Sequence, residues 1–387
     1  MNIDSIWFLL GLPVAFALGW LASRLDLRQL RTANRSAPKA YFKGLNYLLN
    51  EQQDAAIDAF IEAVQKDPDT TELHFALGNL FRRRGEYERA IRVHQHLLAR
   101  ADISAADRDR AQYALAMDFL KAGLLDHAET ALRKLENGRF ASQAQNALLD
   151  IYERSRDWAR AGEMAQALER TDHADFKQRR AHYLCELAAE ATQAKQAEQA
   201  RGLLQQAAQI APDAPRPRLQ LAQLEQAEGH LEQAFALLQN TLQQLPACAP
   251  LVAPDFTKLA LETGQAQTAR DLLANLQQAS SSIDVVEMLI QLDQQAPQAN
   301  QTITPAQRYL DHLSKHSSLL AATRWLNLEK LQGDANQPVI ERALQKAVQP
   351  LTRYRCAACG FETQRYYWHC PGCQGWDSYP PRRVEEL

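Results

Sequence analysis

The sequence predicts an all-α protein in three parts: an N-terminal transmembrane helix, a long array of paired helices, and a small C-terminal four-cysteine module. Three observations lead there. An uncharged run fills residues 5–23, an alanine recurs about every 34 residues through the middle, and four of the six cysteines crowd into residues 356–373. Ala, Leu and Gln dominate residues 40–350 while Val, Ile and Thr are sparse, which favours helix over strand. A length of 387 residues implies more than one folding unit, and 46% hydrophobic with 23% charged residues suits a chain that folds.

The first element is "SIWFLLGLPVAFALGWLAS", 19 residues without a charge. As a helix it reaches roughly 28 Å, close to the hydrocarbon thickness of a bilayer. An acid in "MNIDS" and the lack of a clean Ala-x-Ala site argue for an uncleaved anchor over residues 1–23. Residues 24–43 then carry Arg24, Arg28, Arg31, Arg35, Lys39 and Lys43 against Asp26 alone. By the positive-inside rule this sets the N-terminus outside and the body in the cytoplasm. The basic juxtamembrane segment, 24–37, would meet anionic headgroups of the membrane lipid. Gly11, Ala15 and Gly19 stand four apart, a small-residue face that a partner helix could approach closely, and Pro13 implies a gentle kink. Beyond this region the chain is net negative, so no nucleic-acid partner is expected.

Residues 38–280 repeat. "KGLNYLLNEQQDAAIDAFIEAVQKDP" places Gly44, Tyr47, Ala56, Phe60, Ala63 and Pro68; "LGNLFRRRGEYERAIRVHQHLLAR" places Leu77, Gly78, Phe81, Ala90 and Leu97 in step. The alanine returns at Ala128, Ala161, Ala200, Ala234 and Ala269, with spacings of 33 to 39 residues. This is the tetratricopeptide pattern of two antiparallel helices per repeat, about seven copies, with small residues where helix A meets helix B. Pro68 would end the first helix B. Residues 281–350 still read as paired helices, degenerate or capping. Stacked pairs form a superhelix with a groove lined by helices A, which suits a peptide or protein segment. Phe75, Asn79, Arg82 and Arg83 are the candidate groove residues, although "FRRRGE" also reads as a solvated helix end.

No phosphate loop, nucleophile elbow or H-E-x-x-H sequence occurs, so the array reads as a scaffold and the protein as non-enzymatic. His312 and His316 have ligand spacing, but with no third ligand nearby they are expected on a solvated face. His94 and His96, two apart, face different sides of a helix. Cys185 and Cys248 are expected to be buried and inert.

Cys356-x2-Cys359-x10-Cys370-x2-Cys373 carries the chemistry. Each CxxC forms a knuckle presenting two thiolates, and two knuckles complete a tetrahedron around one metal ion, Fe or Zn. A reducing cytoplasm keeps such thiols available. Gly360 and Gly372 suit the turns, and Pro371 stiffens the second knuckle. Residues 351–387 are too few for a self-sufficient core, so the metal must supply much of the folding free energy. A four-thiolate site is closed to substrate, which disfavours hydrolysis. Seven aromatics (Tyr354, Phe361, Tyr366, Tyr367, Trp368, Trp376 and Tyr379) must form a miniature core and leave a docking surface.

Anchor, array and knot in this order resemble the lipopolysaccharide assembly protein B family of Gram-negative inner membranes, on "YFKGLNYLLNEQQDAAIDAFIEAV" and "RYRCAACGF…YWHCPGC". The resemblance implies a rubredoxin-like terminal module holding metal through Cys356, Cys359, Cys370 and Cys373. It implies a single-pass inner-membrane adaptor, its soluble part in the cytoplasm. Such an adaptor promotes degradation of the lipid A pathway deacetylase by a membrane-embedded AAA+ protease. Further implied partners are lipopolysaccharide assembly enzymes and a lipopolysaccharide-sensing inner-membrane protein. The module is expected to fold back on the repeats as a clamp. A rubredoxin-like electron carrier and a general peptide-binding co-chaperone are the alternatives.

Overall fold

The computed structural model describes residues 42–66 apart from 48 and 51, then 70–171, 175–279, 282–297, 303–329 and 337–387, with Phe16 and Trp20 alone before them. Phe16 and Trp20 are helical and exposed. The rest of the expected span 5–23, with Gly11, Ala15 and Gly19, lies outside the described residues, as do segment 24–37 and Pro68. Among the described residues no helix is long and apolar enough to cross a membrane.

The chain divides into two compact units, 1–155 and 156–387. In the first, residues 42–47 are helical and six helices follow: α1 (Gln53–Lys66), α2 (Thr71–Arg84), α3 (Tyr87–Ala99), α4 (Ala105–Lys121), α5 (Leu125–Arg133) and α6 (Ala141–Ser155). The second contains α7 (Trp158–Thr171), α8 (Lys177–Gln193), α9 (Ala197–Ile210), α10 (Pro215–Ala227), α11 (Leu231–Gln244), α12 (Ala249–Glu262), α13 (Ala266–Ala279), α14 (Ile283–Gln295), α15 (Pro305–Leu313), α16 (Leu319–Leu328) and α17 (Gln337–Val348). Within each unit every helix packs on the next.

The repeat has a local cause that the backbone makes plain. The seven alanines from Ala56 to Ala269 are each the fourth residue of their helix and are 0% exposed. Each donates its N–H to the carbonyl just before its helix, as Ala90 does to Glu86 and Ala234 to His230. Five residues before the last six of these alanines stands a left-handed residue: Gly85, Gly123, Arg156, Lys195, Gly229 and Gly264, with φ from 58° to 88°. It reverses the chain at the end of helix A, and the next N–H reaches back five residues, as Glu86 does to Phe81 and Gln265 to Ala260. Only glycine adopts this conformation without strain, so Arg156 and Lys195 hold it at a cost.

Close approach explains the helix-A glycines. A Cβ on Gly78 would lie 2.5 Å from His94 Nε2, and one on Gly44 would lie 2.8 Å from the Phe60 ring. His94 is 0% exposed, while His96 is exposed. His94 Nδ1 meets Asp118 Oδ2 at 2.5 Å, and Arg82 meets the other oxygen of the same buried carboxylate at 2.9 Å. His312 differs from its sequence expectation. It is 3% exposed rather than facing solvent, beside a recess that Glu385 and Leu387 also line, and burial lowers its basicity.

Candidate metal centre

The knot starts from a two-residue hairpin ladder, β1 (Tyr354–Arg355) antiparallel to β2 (Glu362–Thr363). The ladder closes the first knuckle, and Arg355 on β1 pairs with Glu362 on β2 at 2.7 Å. The two knuckles repeat one another. Cys356 N–H donates to Phe361 O at 3.0 Å and Cys370 N–H to Gly375 O at 2.9 Å; Gly360 N–H reaches Cys356 O and Gln374 N–H reaches Cys370 O. The residue after each second cysteine is left-handed, Gly360 at φ 76° and Gln374 at φ 58°. The expected turn role of Gly372 therefore falls to Gln374. Gly372 serves close packing instead, since its Cβ would stand 3.3 Å from Phe361 and 3.4 Å from Cys359 Sγ.

The four sulfurs lie within 4.8 Å of one another, with Cys356–Cys373 at 3.8 Å and Cys359–Cys370 at 3.7 Å. A metal with bonds of about 2.3 Å to four thiolates spaces them about 3.8 Å apart, so the donor set fits one tetrahedral ion. Electrostatics favour anionic sulfur where it is least hydrated. Burial raises the Cys356 thiol, but hydrogen bonds from Ser378 and from the N–H groups of Cys359 and Ala358 outweigh it and bring it down to about 6. Cys370 is lowered in the same way, burial being overcome by the N–H groups of Cys373 and Gly372 and by Tyr379. Cys356 and Cys370 are buried; Cys359 and Cys373 are exposed. Among the described residues this is the one group of three or more such side chains close enough to hold a metal.

The remaining module side chains settle on the second unit. Tyr354, Tyr379, Cys356 and Cys370 form a small core completed by Tyr366 and by Leu251 of α12. Trp376, carried by the loop after Cys373, has a near-parallel contact with His369 at 4.3 Å and with His182 of α8 at 4.8 Å. Its edges meet Trp158 and Tyr183, both at 5.9 Å. Next to it Asp377 accepts from His182 Nε2 at 2.7 Å. Arg216 can only donate, so His182 Nδ1 accepts from it at 3.2 Å. Arg216 continues to Glu186 at 2.6 Å.

Farther on, Arg383 grips Asp284 with two hydrogen bonds of 3.0 Å. Glu386 accepts the N–H of Ile283, the first residue of α14, and Glu385 accepts the N–H of Leu320 and the Ser318 hydroxyl at the start of α16, at 2.9, 2.9 and 2.8 Å. Each carboxylate sits where the helix exposes unpaired donors and a partial positive charge. Sequence reasoning missed His182, Arg216, Asp284 and these caps. A run of two acids could have hinted at the caps, though not at which helices they serve.

In the first unit, three of the four candidate groove residues come together. Phe75, Asn79 and Arg82 line a pocket of 490 Å³ with Arg110, Tyr113 and Phe140. Phe75 is 1% exposed beneath the Arg110 guanidinium, 4.1 Å from its ring, and Asn79 accepts from Arg82 at 2.6 Å. Arg83 is exposed and lines no part of it. Cys185 and Cys248 are buried free thiols, pushed up to about 12 and about 11 by burial.

Residues 354–380 match the rubredoxin metal binding domain family, and residues 191–254 match a tetratricopeptide repeat family. Fold and site thus define a tetratricopeptide-repeat protein with a rubredoxin-type metal module. The chain is 31% identical to lipopolysaccharide assembly protein B of Escherichia coli K12, covering 98% of each, and 28% identical to the Haemophilus influenzae protein of the same name, covering 99% of each. It belongs to the lipopolysaccharide assembly protein B family. A solved tetratricopeptide repeat protein from Parabacteroides merdae aligns at 13% identity and a TM-score of 0.34, over 67% of this chain and 99% of that one.

Proposed function

We propose that this chain is a non-enzymatic adaptor of lipopolysaccharide assembly, anchored in the inner membrane with its body in the cytoplasm. In this reading it promotes degradation of the lipid A pathway deacetylase by a membrane-embedded AAA+ protease. The observation that carries it is the whole-length relation to lipopolysaccharide assembly protein B, which spans the repeats and the knot alike. The site chemistry agrees. Four thiolates from Cys356, Cys359, Cys370 and Cys373 would saturate a zinc or iron ion and leave no position for substrate, so the ion supplies structure. In this reading the pocket lined by Phe75, Asn79 and Arg82 would seat a partner segment, and Gly11, Ala15 and Gly19 would form the face toward a partner membrane helix. The test is the half-life of the deacetylase in cells deleted for this gene. The adaptor reading expects it to lengthen several-fold and to recover on complementation; an unchanged half-life would end the reading.

A further inference from the structure

Within the second unit, where the module meets the helices, there is a cleft of 470 Å³ that neither the metal nor the helix caps explain. Its module wall is aromatic. Tyr366 stands edge-on to Trp368 at 4.8 Å and to Tyr379 at 6.2 Å, and Leu251 closes the floor with nearby prolines. Two carboxylates reach this space. Asp377 comes from the module, and Asp213 comes from the connection between α9 and α10. Asp213 is exposed and has no ion-pair partner among the described residues.

Among the described residues no lysine or arginine side chain lines the cleft. The imidazole that lines it, His182, is already taken up between Asp377 and Arg216. The neighbouring guanidinium groups are already engaged: Arg216, behind His182, by Glu186 at 2.6 Å, and Arg218 by Gln244 at 2.6 Å and Pro212 O at 3.0 Å. Three electron-rich rings and two carboxylates, with no lysine or arginine among the described lining residues, make a recess of net negative charge. An anion would be repelled there, and a purely apolar group would leave Asp213 unused. A cation on an apolar stem satisfies both parts, with its charge against the rings and Asp213 and its methylenes against Leu251 and the prolines.

We infer that this cleft binds an arginine or lysine side chain flanked by apolar residues on a partner protein. Because the aromatic wall belongs to the metal knot and the floor to α12, the site exists only when the module is docked. It depends on no particular client, so it stands or falls separately from the adaptor reading.

The experiment is isothermal titration calorimetry of the full chain in detergent, using the peptide acetyl-Leu-Arg-Leu-amide and its citrulline counterpart, which keeps the shape and loses the charge. Binding of the arginine peptide should saturate below about 10 mM, be about tenfold weaker for citrulline, and weaken with salt. Asp213→Asn, an exposed change that leaves the fold intact, should weaken the arginine peptide about fivefold. Trp368→Leu, which keeps an apolar wall and removes one π face, should reduce the preference over citrulline about twofold. Equal binding of the two peptides, no saturable binding by the wild-type protein, or full affinity in Asp213→Asn would each overturn the inference.

Discussion

Replacing Gly78 by alanine should destabilise the first unit, although the same change in an exposed helix stabilises. In a helix interior alanine is favoured over glycine by about 1 kcal/mol. At Gly78, however, the added Cβ would sit 2.5 Å from His94 Nε2 and 2.6 Å from Cε1, about 1 Å inside ordinary contact. His94 has nowhere to retreat. It is fully buried and tied to Asp118, which Arg82 fixes from the other side. Overpacking of this kind costs about 1–3 kcal/mol, and breaking the His94–Asp118 contact adds about 1.5–3 kcal/mol. After the helical gain is subtracted, the net loss is about 1 kcal/mol, rising to about 3 if His94 lets go. The control is Gly202→Ala in α9, where nothing lies within 4 Å of the new Cβ and about 0.5–1 kcal/mol should be gained. Urea unfolding followed by far-ultraviolet ellipticity, with midpoints compared at constant slope, reads both signs. A Gly78→Ala protein as stable as the wild type would refute the locked-histidine argument.

Other outcomes follow from the same coordinates. Chelation at neutral pH should remove one metal per chain and abolish the near-ultraviolet signal of Trp376, since the ion contributes on the order of 10 kcal/mol to folding the knot; a protein whose aromatic signal survives stoichiometric metal removal would contradict this. Zinc would leave the visible spectrum blank, whereas iron would show charge-transfer bands. Lys195→Gly, which relieves a left-handed lysine at φ 59°, should raise the free energy of urea unfolding by up to about 1 kcal/mol, and a loss of stability would count against strain at that turn. Glu225, 5% exposed, is held below the ordinary carboxylate value by its hydrogen bonds from Arg201 against the cost of burial, with His230 helping. Its lowered folded pKa means that its stabilisation is present above about 4.5 and is lost as pH falls through the folded value. Glu225→Gln should therefore cost about 2 kcal/mol at pH 7 and progressively less in acid, and a pH-independent deficit would disprove the assignment.

Much of this architecture was legible because its causes are local. Ala56 to Ala269 announce the repeats because only a small side chain fits at the fourth position of each helix B. Gly85, Gly123, Gly229 and Gly264 mark the turns before them. At the corresponding turns Arg156 and Lys195 give no signal, because no side-chain type marks a strained left-handed position. The cysteines were readable from spacing alone, since two knuckles and one ion fix the geometry. What resisted reading depends on distant pairs. His182 and Asp377 are 195 positions apart, and Arg383 and Asp284 are 99 apart. In its own segment each looks like an ordinary polar helix or loop residue. His312 reads as solvated because the recess it borders is shared with Glu385 and Leu387, from a separate segment of the chain.

The caps supplied by Glu385 and Glu386 also bear on timing. Ser282 does not cap α14 with its side chain, and the N–H of Ile283 waits for a carboxylate 103 residues later. A chain emerging from the ribosome presents α14 and α16 well before it presents residues 385 and 386. Their first turns can gain these caps only after the knot has formed and a long loop has closed, a step that slows with sequence separation. Those helix starts should thus be the last parts of the second unit to become protected from hydrogen exchange during refolding.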